Sequence, residues 1–147
     1  IIIISGFTAS IASSLTVNQI DSGGDEMKDF KDKKLATIQA SATEKWLEDH
    51  FFTNRLAVES SSDFEDVLLN QKVDAIAYDR PVLQSIIKKD SLDRFKLLPI
   101  QYNSQYYALG LNRKLPDNFK RELSLSLLKV TQTKDWEVVL SEYGINQ

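Results

Sequence analysis

Two short stretches carry residues whose types and spacing could do binding chemistry. The first is Lys72-Val73-Asp74-Ala75-Ile76-Ala77-Tyr78-Asp79-Arg80-Pro81. Val73, Ala75, Ile76 and Ala77 form an apolar run between charged ends, short enough for a strand and too short for a helix. Pro81 suits a first helical turn, where its missing N–H costs nothing, and Val82, Leu83, Ile86 and Ile87 follow at helical spacing. Asp79 is therefore expected at the carboxyl end of a strand, just before a helix. Open α/β sheets bind ligands at such places, and a carboxylate there could hold a ligand ammonium. The alternative is that Asp79 only caps its own helix or stays in solvent. The second stretch is Ser41-Ala42-Thr43-Glu44, an S-x-x-E capping box ahead of an apolar run. A helix start presents free N–H groups and a positive dipole end, so it can take an anion; plain capping is the alternative.

Other chemistries find little here. The chain has no cysteine, which excludes disulfides, thiolate metal sites and thiol catalysis. His50 is the single histidine. It rules out a multi-histidine metal site, gives no basis for a Ser-His-Asp set, and reads as a helix-end residue. Glu59, Glu65 and Asp66 read as solvated, so no acid–base pair argues for an enzyme, and no cofactor or metal is expected. A net charge of −3 without a basic stripe interleaved with aromatics gives no reason to expect a nucleic-acid partner.

The elements that would position these residues alternate. Asp25 to Phe30 reads as a short helix with acids in its first turn, and Leu35-Ala36-Thr37-Ile38 as a strand. Trp46, Leu47, His50 and Phe51 share one face of the helix opened by Ser41. Leu56-Ala57-Val58 is a strand, and Ser61, Ser62 and Asp63 cap a helix bearing Phe64, Val67, Leu68 and Leu69. Leu97 to Ile100 is an edge strand or crossover broken by Pro99, and Tyr106 to Leu111 suits a buried strand. A helix from about 118 to 130 carries Phe119, Leu123, Leu127 and Val130 on one stripe. A last helix with Trp136, Val139, Leu140 and Tyr143 stops at Gly144. Strands alternating with helices at short spacing make the class α/β.

Residues 1–17 carry no charge, the short end of membrane-spanning length. Ser5, Gly6, Ala9, Ala12 and Ser13 are small enough for close helix packing; a buried strand or helix of a soluble core is the alternative. No initiator methionine precedes Ile1, and the chain reads as a fragment of a longer protein.

Val73 to Pro81 resembles the "DA-apolar-apolar-x-D" segment of the type II periplasmic-binding-protein fold, shared by amino-acid-binding proteins and the ligand-binding cores of ionotropic glutamate receptors. Phe7 to Val17 is similar to the "SYTANLAAFLTV" signature that ends the third membrane segment of those receptors. Thr8, Ala9, Ala12, Leu15, Thr16 and Val17 match it, while Ser10 and Ser14 depart from it. The resemblance implies a type II periplasmic-binding-protein-like lobe, a mixed sheet flanked by helices, preceded by the end of a pore helix. Residues 1–19 would be the pore segment and linker start. Residues 20–147 would be the second segment of the binding core, with 27–104 the second lobe and 105–147 the return to the first.

The same resemblance implies a ligand-gated channel, not an enzyme. Its ligand would be an amino acid, and its binding core would lie outside the cytoplasm at the cell membrane. Its partners would be the first lobe of the same polypeptide and further copies in a homo-tetramer. Asp79 would take the ligand's α-ammonium. Ser41, Ala42 and Thr43 fall at the "GST" turn that takes its distal carboxylate: Thr43 matches the family threonine, Ala42 stands where the family often has serine, and the family glycine is replaced by Ser41 or Ala40. Thr8, Ala9, Ala12, Leu15 and Thr16 would form the gate. A soluble or tethered solute-binding protein of an amino-acid transporter is the alternative. It accounts equally well for 20–147 but not for the first 17 residues.

Overall fold

The computed structural model describes residues 10–18, 26–89, 95–106 and 108–143. Its elements in order are β1 (Ser10–Asn18), a 3-10 turn (Met27–Phe30), β2 (Leu35–Ile38), α1 (Ala42–Asp49), β3 (Arg55–Val58), a 3-10 turn (Ser61–Asp63) and α2 (Phe64–Leu69). They continue with β4 (Ala75–Asp79), α3 (Arg80–Lys89), β5 (Phe95–Leu97), β6 (Tyr102–Tyr106), α4 (Asp117–Thr131) and α5 (Lys134–Glu142). The α/β expectation holds, and the architecture is that of a type II periplasmic-binding-protein-like lobe.

One sheet runs β3-β2-β4-β1-β5, with β6 paired to β1 off this path. β2 is parallel to both β3 and β4, and β1 is antiparallel to β4 and β5. The start of β2 is tied to the start of β4 by the Asp74 carboxylate, which accepts the Lys34 N–H at 2.7 Å, while Asp74 N–H donates to the Lys34 carbonyl at 2.8 Å. That clamp holds Leu35 opposite Ala75 and Ala36 opposite Ile76.

Strand periodicity divides the interior into two layers. Leu15, Leu35, Ala75 and Ala77 face one side, where Phe30, Leu47 of α1, Phe52, Leu98 and Ile100 cover them. Ala36, Ile76 and Val58 face the other, against Phe64, Val67 and Leu68 of α2 and Leu83 of α3. α1 and α2 thus lie on opposite faces of the sheet. The chain leaves β2 for β3 on one side, then crosses to β4 on the other side of β2, so strand order reverses at the β2/β4 boundary.

The chain divides into two compact units, 12–104 and 105–147 together with 1–11. In the second, α5 opens on Thr133, whose hydroxyl accepts the Trp136 N–H at 3.2 Å. Leu140 is its buried anchor. The stripe on α4 has helical spacing, but Phe119 and Val130 are exposed while Leu123 and Leu127 are half-buried.

Three sequence expectations need correction. Residues 10–17 are not the end of a pore helix: they form β1, hydrogen-bonded along both edges, with Leu15 and Thr16 buried. Serine, threonine, isoleucine and valine are weak helix formers, and Leu15 and Thr16 find matched partners across the ladder in Ala77 and Ile76. Thr8, Ala9 and residues 19–25 lie outside the described residues. The strand expected at Tyr106–Leu111 lies earlier, at Tyr102–Tyr106, and Leu109 is exposed. The strand expected at Leu97–Ile100 ends at Leu97, although Leu98 and Ile100 still reach the core.

α1 ends in a Schellman motif. Phe52 N–H donates to the Leu47 carbonyl at 2.9 Å and Phe51 N–H to the Glu48 carbonyl at 3.0 Å, with Phe51 left-handed at φ 62°. Leu47 and Phe52 supply the apolar clasp that accompanies this motif. The ring of Phe51 is 77% exposed, so little packing offsets its backbone strain. Phe51→Gly is expected to stabilise the fold by about 1 kcal/mol, read as a higher urea midpoint with an unchanged slope. A lower midpoint would show that the Phe51 ring contributes more than its backbone conformation costs.

Candidate functional site

The reversal of strand order places a crevice at the carboxyl ends of β2 and β4, the position where doubly wound sheets bind ligands. Asp79 is the last residue of β4. Two residues beyond Ala77, it lies on the α1 side of the sheet, half-buried. Extending the β2/β4 register sets it level with Gln39, at the turn that opens α1. It also pairs with Ser13 on β1.

That turn is built by residues 38–44. Ser41 N–H donates to the Ile38 carbonyl at 3.3 Å, and Ala40 is left-handed at φ 56°. Ala40 is thus the residue of this turn whose backbone takes the conformation that glycine adopts most readily. Ser41 is the N-cap: its Oγ accepts the Glu44 N–H at 3.0 Å. The Glu44 carboxylate reaches back and accepts the Ala40 N–H at 2.6 Å. Half of the capping box expected from the sequence is thus formed; the Glu44 carboxylate bonds the N–H one residue before the N-cap, while the Ser41 N–H is taken by the Ile38 carbonyl. Ala42 is exposed on the first turn, whereas Thr43 is 1% exposed and faces inward.

Two residues passed over in the sequence join the site from β6. Tyr102 packs against Trp46 with ring centroids 4.6 Å apart. Burial, and then the negative charge of Asp79, hold its hydroxyl well above the ordinary phenol range, so Tyr102 stays a neutral hydrogen-bonding group beside that carboxylate. Asn103, left-handed at φ 50°, approaches the first turn of α1, its Nδ2 donating to the Ala42 carbonyl at 3.5 Å. Asparagine tolerates this backbone region better than most residues. The only signal for either was the crossover implied by Pro99.

Trp46 and His50 stack at 3.8 Å and 17°. His50 is the C-cap of α1, its Nδ1 sits 2.8 Å from the Trp46 carbonyl, and its own carbonyl accepts from Lys31. This group lies at the far end of α1 from Ser41 and is part of the packing. Arg80 opens α3 and donates to the Leu98 carbonyl at 3.3 Å, which ties the segment after β5 to the end of β4. Among the described residues no group of His, Asp and Glu has the arrangement of a metal site, and no helix is long and apolar enough to cross a membrane.

The structure therefore brings Asp79, Ser41 and Ala42 to one end of the sheet, buries Thr43 beside them, and places Leu15 and Thr16 inside it. The arrangement offers a carboxylate, a capped helix start and a neutral phenol at this end of the sheet.

No family model matches the chain, and no curated protein matches it. Solved structures do match in fold. The GluR0 ligand-binding core from Nostoc punctiforme in complex with L-glutamate is 18% identical, with a TM-score of 0.74, over 93% of this chain and 62% of that one. An amino acid ABC transporter substrate-binding protein from Streptococcus pneumoniae bound to L-arginine is 14% identical, with a TM-score of 0.75, over 94% and 60%. A cysteine-binding protein from Campylobacter jejuni is 18% identical, with a TM-score of 0.72, over 92% and 54%. The chain spans less than two thirds of the length of each.

Proposed function

We propose that this chain is the ligand-binding lobe of an amino-acid receptor, non-enzymatic, in which Asp79 holds the ligand's α-ammonium and the start of α1 faces its side chain. The observation that carries the reading is the convergence of Asp79 and the Ser41–Glu44 turn at the point where strand order reverses. The fold-level likeness to proteins crystallised with glutamate and arginine supports it. A first lobe of the same polypeptide would supply the groups for the α-carboxylate, and closure of the two lobes would be the response to binding.

The test is calorimetry on the full-length protein with the twenty amino acids. Saturable binding of at least one, with a matching rise in melting temperature, is the expected result. Neither heat nor thermal shift with any of them would reject the reading.

Two outputs for that closure are distinguished by residues 7–17. Their match to a channel gate signature supports a tetrameric, membrane-embedded receptor of the ionotropic glutamate type, its binding core outside the cytoplasm. The place of Ser10–Asn18 as β1, paired on both edges, favours instead a solute-binding protein of an amino-acid transporter. A backbone hydrogen-bonded into a sheet cannot at the same time be a pore helix. Bilayer conductance of the full-length protein with and without amino acid separates the two. Under the channel reading Ala12→Thr loosens the packed gate and gives ligand-independent current. Under the transporter reading both forms are silent.

A further inference from the structure

β6 grips α1 with two successive residues. Tyr102 packs its ring on Trp46, with centroids 4.6 Å apart, and Asn103 Nδ2 donates to the Ala42 carbonyl at 3.5 Å. Ala42 and Trp46 are four residues apart on α1, so they lie one above the other on a single face. In a regular strand, successive side chains point to opposite faces of the sheet. Tyr102 and Asn103 could not then both reach one helix. The left-handed backbone at Asn103, φ 50°, breaks the alternation and turns both side chains toward α1.

The residue type meets two demands at once. Glycine and asparagine enter the left-handed region more readily than most residues. Glycine has no side chain to offer the Ala42 carbonyl. Aspartate tolerates the backbone but sets a carboxylate against a carbonyl oxygen, and both are acceptors. Asparagine supplies the backbone conformation and the donor together. In a regular helix the Ala42 carbonyl also takes the Trp46 N–H, and its second lone pair serves Asn103.

The grip bears on Asp79 through Tyr102. The Tyr102 ring packs on the layer that holds Leu15, Leu47, Ala77 and Ile100. Asp79 is two residues beyond Ala77 on β4 and faces the same side. We propose that Asn103 is a positioning residue of the binding site: its left-handed backbone and its bond to Ala42 hold the Tyr102 ring against Trp46 and beside Asp79. The inference rests on the amino-acid reading above and names a residue that prepares that same site. Asn103 acts through Tyr102, whose ring displaces water beside the carboxylate and strengthens its attraction for an ammonium.

The test uses the full-length protein carrying Trp136→Phe, so that among residues 1–147 Trp46 is the only tryptophan. In this background Asn103→Asp is expected to shift Trp46 emission to the red without ligand, as the Tyr102 ring leaves it. Calorimetry with each of the twenty amino acids is expected to show a loss of roughly fivefold or more for any that binds the parent. Adding Asn103→Asp to Tyr102→Leu is expected to cost no further affinity, because the ring through which Asn103 acts is already gone. Asn103→Gly keeps the backbone and loses only the donor, and it carries the same test where Asn103→Asp does not fold. Unmoved emission and unchanged affinity would overturn the inference and leave the amino-acid reading standing. So would a lower melting temperature with affinity intact, or an affinity loss equally large with and without the Tyr102 ring. Binding of no amino acid by the parent would overturn both.

Discussion

Asp79→Asn in the full-length protein weakens amino-acid binding by about 2–5 kcal/mol, a loss of roughly thirtyfold at the least. The size follows from what the substitution leaves behind. An ammonium held in a crevice has given up water and needs a full negative charge in return. Asparagine offers one carbonyl oxygen and a pair of N–H donors that the ammonium repels. Asp79 is half-buried at the end of β4, beside a Tyr102 hydroxyl that does not ionise in the ordinary range, so nothing there replaces the lost charge. Calorimetry gives the affinity, and a parallel melt of the ligand-free protein shows whether the fold has been disturbed as well. An unchanged affinity rejects the role assigned to Asp79. A loss confined to stability assigns it instead to holding the end of β4 against β1.

How much of this was legible beforehand depends on how local the governing interactions are. β2, β4 and the opening of α1 could be read because each is specified within a few residues. The run from Val73 to Ala77 has strand length and charged ends, and the Ser41–Glu44 box satisfies its own helix start without help from elsewhere. The position of Asp79 followed from that run and from Pro81, which suits the first turn of the next helix. That the crevice is a reversal of strand order did not, because it depends on α1 and α2 packing on opposite faces of the sheet. The choice between Ala40 and Ser41 as the glycine-like residue also needed a backbone angle that alanine does not advertise.

Tyr102 and Asn103 were missed for a related reason. Tyr106-Tyr107-Ala108-Leu109 is the more apolar run and drew the strand toward itself, whereas β6 is held by pairing with β1 and by the packing of Tyr102 on Trp46. On α4 the spacing of Phe119, Leu123, Leu127 and Val130 correctly indicated a helix. Spacing fixes which residues share a face, but not whether that face is covered. Ser10–Asn18 is the largest departure. An uncharged run of small and β-branched residues satisfies the length and composition of a membrane segment and those of a buried strand, and only its hydrogen-bonding partners distinguish the two.

That ambiguity makes Leu15 the most discriminating position in the chain. Leu15 is fully buried opposite Ala77, within the layer that holds Leu35, Leu47 and Leu98, and its carbonyl accepts the Leu98 N–H at 2.9 Å. Removing its isobutyl group deletes contacts on all sides and leaves a cavity that flanking strands cannot close. Leu15→Ala is therefore expected to cost about 3–5 kcal/mol, a large part of the total stability of a domain this size. The melting temperature falls by roughly 6–20 °C. Phe64→Ala is the reference: Phe64 is equally buried, in the layer on the opposite face of the sheet, and its loss costs about 3–5 kcal/mol whichever way residues 10–18 are arranged. Comparable losses for the two variants establish β1 as an integral strand of the lobe. A melt unchanged by Leu15→Ala, alongside a large loss for Phe64→Ala, would remove β1 from the core. It would also return residues 7–17 to the membrane, where the effect of Leu15 would appear in conductance and not in stability.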